Sequence, residues 1–327
     1  MNTLKCRFAG LELKNPIIVS SCSLTNDARS CKKFEEAGAA AVVLKSLFEE
    51  NIIHKSEQMS DDSLHTESAD YLHGYLRAQI LHEYIQLVKE SKKLCSIPVI
   101  ASICCHTKGE WTEFATLIEE AGADALELNV MSVCTAKNYT YGSFEQNHID
   151  ILNAVKKAVK IPVIMKLGSN LSNPVALIDR LYSYGAAAVV LFNRPYQTDI
   201  NIDKLEYSTG SVLSNESDLS NALRWTGIAS AVVKNISYAV SGGVLTGEAV
   251  VKALLAGASA VEVSSALYKE GAKWIGSALD FLAKWQGEHG FASVEDFCGK
   301  LNAKEPERED VLERTQFLKF FEAFSEK

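Results

Sequence analysis

Four stretches of the chain share one pattern. A small-residue turn leads into a short, continuous apolar run, which ends abruptly in polar residues. They are AGAAAVVLKS (37–46), AGADALELN (121–129), YGAAAVVLFN (184–193) and AGASAVEVSS (256–265). Four more apolar runs lie between them: NPIIVSS (15–21), IPVIAS (97–102), IPVIMK (161–166) and ISYAVSGG (236–243). Unbroken apolar runs suit parallel strands buried on both faces, whereas half-exposed strands alternate. The pattern therefore predicts eight strands, at 15–21, 41–46, 97–102, 125–129, 161–166, 187–193, 236–241 and 260–264.

Between most of these runs the apolar positions switch to helical spacing. Helices are predicted over 27–38, 110–122, 148–159, 174–185 and 247–257, several closing on glycine. Eight strand–helix units in sequence predict a (β/α)8 TIM barrel. A doubly wound sheet is the alternative, but no GxGxxG follows the first strand. Long insertions are expected after strand two, with a helix near 69–93, and after strand six. Residues 1–327 read as a single barrel domain, with 272–327 a helical C-terminal extension.

Composition narrows the function classes. A net charge of −8 disfavours nucleic acid and anionic membrane as partners. No run reaches the roughly 18 apolar residues of a membrane span. The segment MNTLKCRFAG has no continuous apolar core, so no secretory signal is expected. The eight cysteines match no zinc or iron–sulfur spacing, and reduced thiols in the cytoplasm are expected.

In a barrel of this kind the strand ends carry the chemistry. Gly242 and Gly243 follow strand seven, and Ser264 and Ser265 follow strand eight. Barrels bind phosphate between these two loops, where glycines let backbone N–H groups approach an anion. Lys45 and Lys166 end strands two and five, where a lysine neutralises an anion or, with a lowered pKa, forms a Schiff base. Asn129 and Asn193 end strands four and six, and each offers a donor and an acceptor to a planar polar ring. Ser132 and Cys134 in the loop after strand four are candidate proton-transfer groups or nucleophiles. The seven histidines are scattered and form no triad pattern.

These residues resemble the dihydroorotate dehydrogenase family, in its soluble class, over about residues 3–272. The resemblance is carried by NPIIVSSC (15–22), VVLKS (42–46), LELN (126–129), IPVIMKL (161–167), VLFN (190–193), SGGVLTGEAVVKALLAGA (241–258) and SSALYKEG (264–271). It implies FMN at the barrel mouth, with its phosphate held by Gly242, Gly243, Ser264 and Ser265. Ser20, Ser21, Lys45 and Ser46 would lie along the flavin or between it and the substrate. Lys166 would sit near the flavin N1–C2 edge, where positive charge favours hydride acceptance. Asn129 and Asn193 would bind a pyrimidine-like substrate. Ser132 matches the family's base position, taking a proton from C5 of dihydroorotate while hydride leaves C6 for the flavin. The electron acceptor implied is fumarate or a partner reductase, and the assembly implied is a homodimer.

The chain departs from the family where substrate is handled. Its loop reads Asn129-Val130-Met131-Ser132-Val133-Cys134, without the family's proline and second asparagine. Cys134 becomes the alternative base if the loop shifts by two residues. Tyr71, before Gly74, stands where the family has a substrate-binding asparagine. The glycine-rich loop after strand six is replaced by SNESDLSNALRW (214–225). Three alternatives stay open. One is an FMN-binding paralogue acting on another cyclic amide or enone. The others are a flavin-free lyase or aldolase using Lys166 or Lys45, and a non-catalytic binding barrel.

Overall fold

The computed structural model of the chain describes residues 3–48, 66–104, 111–130, 135 and 137–313. Eight parallel strands close on themselves: β1 (Ile17–Val19), β2 (Ala41–Val43), β3 (Val99–Cys104), β4 (Ala125–Val130), β5 (Val163–Gly168), β6 (Ala188–Asn193), β7 (Ser237–Ser241) and β8 (Ala260–Val263). Each pairs with its sequence neighbours, and β8 returns to β1 through Val261 opposite Ile17. The predicted (β/α)8 TIM barrel is the observed fold. Strand side chains such as Ile17, Val42, Ile100, Leu126, Ile164 and Val190 are fully enclosed. That burial on both faces is why the runs are continuously apolar.

Several predicted strand bounds move, three strands most plainly. The runs at 97–102 and 161–166 each begin Ile-Pro, and their strands start just after Pro98 and Pro162 and run on to Cys104 and Gly168. A proline gives no N–H to a ladder, so pairing opens after it. In the run at 41–46 the strand ends at Val43: Leu44 N still donates to Ile100 O at 2.8 Å, but the two N–H groups after it leave the ladder. Lys45 N donates to Thr25 O at 3.3 Å and Ser46 N to Ser21 Oγ at 2.9 Å. Pairing resumes at Leu47–Phe48, against Ile103 and Cys104.

The helices on the outside are α1 (Ala28–Glu36), α2 (Thr66–Leu94), α3 (Trp111–Glu120), α4 (Ser143–Ala158), α5 (Pro174–Ser183), α6 (Asp218–Val232) and α7 (Gly247–Ala256). After β8 follow α8 (Ser265–Glu270), α9 (Lys273–Glu288) and α10 (Pro306–Glu313). The long helix of the first insertion is fixed at its end by Asp124, whose carboxylate accepts from Lys92 Nζ at 2.6 Å and Val99 N at 2.7 Å. Among the described residues no helix is long and apolar enough to cross a membrane.

Capping residues set the helix starts. Asp27 accepts from Ser30 N at 2.9 Å, and Asn173 from Ala176 N at 3.1 Å ahead of Pro174. Thr246 Oγ1 accepts from Ala249 N at 3.2 Å, and α7 ends on Gly257 at φ +116°. Thr246→Ala is expected to lower stability by about 1 kcal/mol, read by urea unfolding. An unchanged midpoint would show the cap to be redundant.

Two hairpins were not foreseen. Cys6–Phe8 pairs with Leu11–Leu13 and packs against β7 and β8, burying Phe8. Thr198–Asn201 pairs with Glu206–Thr209 within the second insertion. The tail after α9 folds back on the barrel, with Thr3 N donating to Ala292 O at 2.9 Å and Phe297 fully buried.

Candidate active site

At the C-terminal ends of the strands lies a cavity of about 700 Å³, within the range of about 300–1,000 Å³ usual for small-molecule sites. Apart from Tyr71, Ser132 and Cys134, every candidate residue lines it. From the first two strands come Ser20, Ser21, Lys45 and Ser46, and from the middle of the barrel Asn129, Lys166 and Asn193. The last two loops bring Gly242, Gly243, Ser264 and Ser265. Ser132 and Cys134 lie outside the described residues. Tyr71 falls within α2, and its side chain also lies outside them.

The last two loops are built as a cradle. Gly242 and Gly243 both take left-handed backbone, at φ +91° and +72°. A Cβ on Gly242 would meet nothing within 4 Å, so this backbone is open on that side. A Cβ on Gly243 would lie 2.4 Å from Leu219 N, so the loop is backed tightly by α6. Ser214 bridges the two loops. Its Oγ accepts from Gly243 N at 3.1 Å, and its N–H donates to Ser265 Oγ at 2.9 Å. A glycine backbone at the cavity wall, fixed from behind and flanked by serine hydroxyls, fits a phosphate group.

Across the mouth, Asn193 Nδ2 donates to Asn129 Oδ1 at 2.8 Å. This leaves the Asn129 amino group and the Asn193 carbonyl as a donor and an acceptor for a ring amide. Phe48, Phe192, Tyr196 and Tyr268 add apolar and aromatic wall.

Lys166 reaches the cavity from within its strand, not from the strand exit. It was expected at a strand exit, but β5 continues to Gly168 and the ammonium is enclosed, only 5% exposed. It lies 2.6 Å from Glu262 Oε2 and 3.6 Å from Glu127 Oε1, and donates to Ser20 Oγ at 3.0 Å. Burial alone would lower the lysine pKa, but the two carboxyl groups outweigh it and hold the pKa above its ordinary value. A lysine held protonated is a poor amine nucleophile, so the Schiff-base alternative at Lys166 has no support here. Lys45, two residues beyond β2, is only partly buried at the rim.

Sequence reasoning missed Glu127 and Glu262, which are buried in β4 and β8 at 0% and 1% exposure. It also gave no role to Ser102, whose Oγ donates to Glu127 Oε1 at 3.2 Å. Arg194 was missed too. It donates to Ser211 O at 3.0 Å and Val212 O at 3.2 Å and pairs with Asp218 at 3.0 Å, fixing the base of the second insertion at the cavity edge. Among the described residues no group of three or more His, Cys, Asp or Glu side chains is arranged to hold an ion.

Comparison with known proteins gives the same fold and site a family. A sequence model described as dihydroorotate dehydrogenase matches residues 75–284. A Thermoplasma volcanium protein named "Dihydroorotate dehydrogenase B (NAD(+)), catalytic subunit" is 32% identical over 320 residues, covering 91% of this chain and 98% of the relative. Proteins of the same name from Methanosarcina acetivorans and Methanocaldococcus jannaschii are 33% and 28% identical over 273 and 295 residues. They cover 79% and 82% of this chain, and it covers 84% and 88% of them. The chain belongs to the dihydroorotate dehydrogenase family, oxidoreductases acting on CH–CH donors.

Proposed function

We propose that this chain is an FMN-dependent oxidoreductase that converts dihydroorotate to orotate in pyrimidine synthesis. The observation that carries this reading is the convergence of a phosphate cradle, a paired-amide wall and a buried lysine on one cavity of a family member. FMN, when bound, supplies a two-electron acceptor. Gly242, Gly243, Ser264 and Ser265 would hold its phosphate. Ser20, Ser21, Ser46 and Lys166 would line its ring.

Asn129 and Asn193 orient the substrate amides, and Lys45 faces the substrate's negative charge. Ser132 removes the C5 proton, with Cys134 the alternative base two residues on. Tyr71 lies at a substrate-contact position. The relatives' names include an NAD(+)-linked catalytic subunit, and a partner reductase is the acceptor we favour over fumarate. Residues 1–327 act as one barrel domain, with 272–327 as its extension, in a cytoplasmic homodimer.

The test is an anaerobic absorbance spectrum of the purified protein, before and after addition of dihydroorotate. Rapid bleaching of a flavin spectrum is the expected result. A flavin spectrum that dihydroorotate leaves unmoved would overturn the substrate. It would favour the second reading, an FMN paralogue acting on another cyclic amide or enone. That reading is motivated by Tyr71 and by the loop 129–134, which lacks the family's proline and second asparagine.

A further inference from the structure

Glu127, Lys166 and Glu262 form a buried group inside the barrel, each 5% exposed or less, with Lys166 and Glu262 reaching the floor of the cavity and Glu127 behind them. Two ionised carboxylates and one ammonium would leave a net negative charge among side chains that are almost fully buried. Desolvation and like-charge repulsion both oppose that state. Each carboxyl group also keeps one oxygen without a donor, Glu127 Oε2 and Glu262 Oε1. The two carboxyl groups converge on the same ammonium, which lies 2.6 Å from Glu262 Oε2 and 3.6 Å from Glu127 Oε1. Carboxyl oxygens attract one another only across a proton. One proton on the pair makes the group neutral overall and supplies the missing donor.

The directions of the two acids agree. Burial first, then the charge of Glu262, raises the Glu127 pKa well above the ordinary range. Burial acts on Glu262 in the same sense, but the Lys166 charge and hydrogen bonds from Glu127, Lys166 and Ser20 outweigh it and hold Glu262 low. The pair titrates as a unit, with the proton resting mainly on Glu127.

A row of hydroxyls leads from this pair to the cavity. Ser102 Oγ donates to Glu127 Oε1 at 3.2 Å. Ser102 Oγ and Ser46 Oγ are 2.9 Å apart, and Ser46 Oγ and Ser21 Oγ are 2.9 Å apart. Ser102 is fully buried, Ser46 is buried, and Ser21 lies partly exposed on the cavity wall. With Ser102 donating inward, the row has one consistent polarity. When Ser21 takes up a proton from the cavity, each hydroxyl passes its own proton one place inward and that of Ser102 reaches Glu127; the polarity reverses, and only O–H bonds are made and broken.

The remaining titratable neighbours are occupied or peripheral. Tyr84, from α2, accepts from Ser102 N at 2.7 Å and donates to Ser102 O at 3.0 Å, so its hydroxyl is committed to the main chain. Ser20 receives from Lys166 and gives to Glu262 at 3.0 Å. The Cys22 thiol is pushed up by burial, and Lys45 and Cys104 stand at the cavity wall.

We propose that Glu127 and Glu262 share one proton against Lys166, and that the Ser102–Ser46–Ser21 row carries it between the buried pair and the cavity. It is a proton route separate from the loop of Ser132 and Cys134. Its use in catalysis rests on the oxidation proposed above, whereas the proton site itself does not.

Infrared spectra of the full-length protein at neutral pH, in H2O and D2O and without substrate, test it. Wild type is expected to show a protonated-carboxyl C=O band that shifts in D2O. Glu127→Gln should remove that band. Ser46→Ala should keep it but slow its exchange roughly ten-fold, a barrier higher by about 1.4 kcal/mol. Ser102→Ala, one hydroxyl closer to the pair, should slow exchange similarly, so neither half depends on one variant folding. A wild-type protein without the band, or a band that survives Glu127→Gln, would overturn the shared proton. Unchanged exchange in both serine variants would overturn the row. These spectra need no dihydroorotate, so the proton site and the substrate assignment fail independently.

Discussion

Lys166→Met is expected to destabilise the protein by about 3–5 kcal/mol at neutral pH, the usual result of removing one partner from a buried ion pair. The ammonium lies 2.6 Å from Glu262 and 3.6 Å from Glu127 inside the barrel. Without it, one buried carboxylate has no counter-charge, and the site reaches neutrality only by taking up another proton. The sign follows. In wild type the Glu262 pKa is held below its ordinary value. It therefore contributes stability above the unfolded pKa, near 4.3, and loses it as pH falls through the folded value. In Lys166→Met the carboxyl pKa values are raised by burial. The folded variant then binds more protons than the unfolded chain above about pH 4, and its deficit shrinks as pH falls towards that value. Urea unfolding at neutral and acidic pH reads this directly. A deficit of the same size at both would mean that lost packing, not charge, is responsible. Adding Glu262→Gln should recover part of the loss, because the two sites are coupled.

Gly243→Ala is expected to cost about 2–5 kcal/mol and, under the function proposed above, to weaken FMN retention. At φ +72° any side chain is strained. Here the new Cβ would also stand 2.4 Å from Leu219 N and 2.9 Å from Leu219 Cα. Those are backbone atoms of α6, which no rotamer change can move aside. Gly242→Ala is the internal control. It has the same left-handed backbone at φ +91° but open space around the added carbon, so only the strain of about 1–2 kcal/mol applies. Thermal unfolding of the two variants, with flavin content read by absorbance, compares them. Equal losses would mean that the close approach to α6 yields easily.

The barrel was legible because each strand is enclosed on both faces, and the continuous apolar runs say so. Strand ends were less legible, since polarity does not mark where pairing stops. Lys166 looked like the end of an apolar run because its partners could not be seen from 161–166 alone. Side-chain parity held the missing signal. Glu127 is two residues before Asn129, and Glu262 two before Ser264, so in a strand each pair shares a face. Placing Asn129 and Ser264 at the mouth therefore places both glutamates one layer deeper in the barrel. That they meet Lys166 depends on three strands far apart in sequence. The two hairpins escaped notice because strands of three or four residues leave almost no periodicity. The base loop and the Tyr71 side chain lie outside the described residues, so their roles stand on resemblance alone.

The second-insertion hairpin bears on how molecules of this protein behave towards one another. Ile200, Ile202, Leu205 and Tyr207 are exposed on a two-stranded ribbon that, among the described residues, pairs with no other strand. Open edges beside apolar side chains invite strands from neighbouring molecules. At pH 7 a net charge of −8 holds copies apart, though salt screens that repulsion beyond about 8 Å at physiological strength. Near the isoelectric point of about 5.5 the repulsion vanishes while the ribbon is unchanged. Copies of the protein are therefore expected to gather through this peripheral loop in mildly acidic solution.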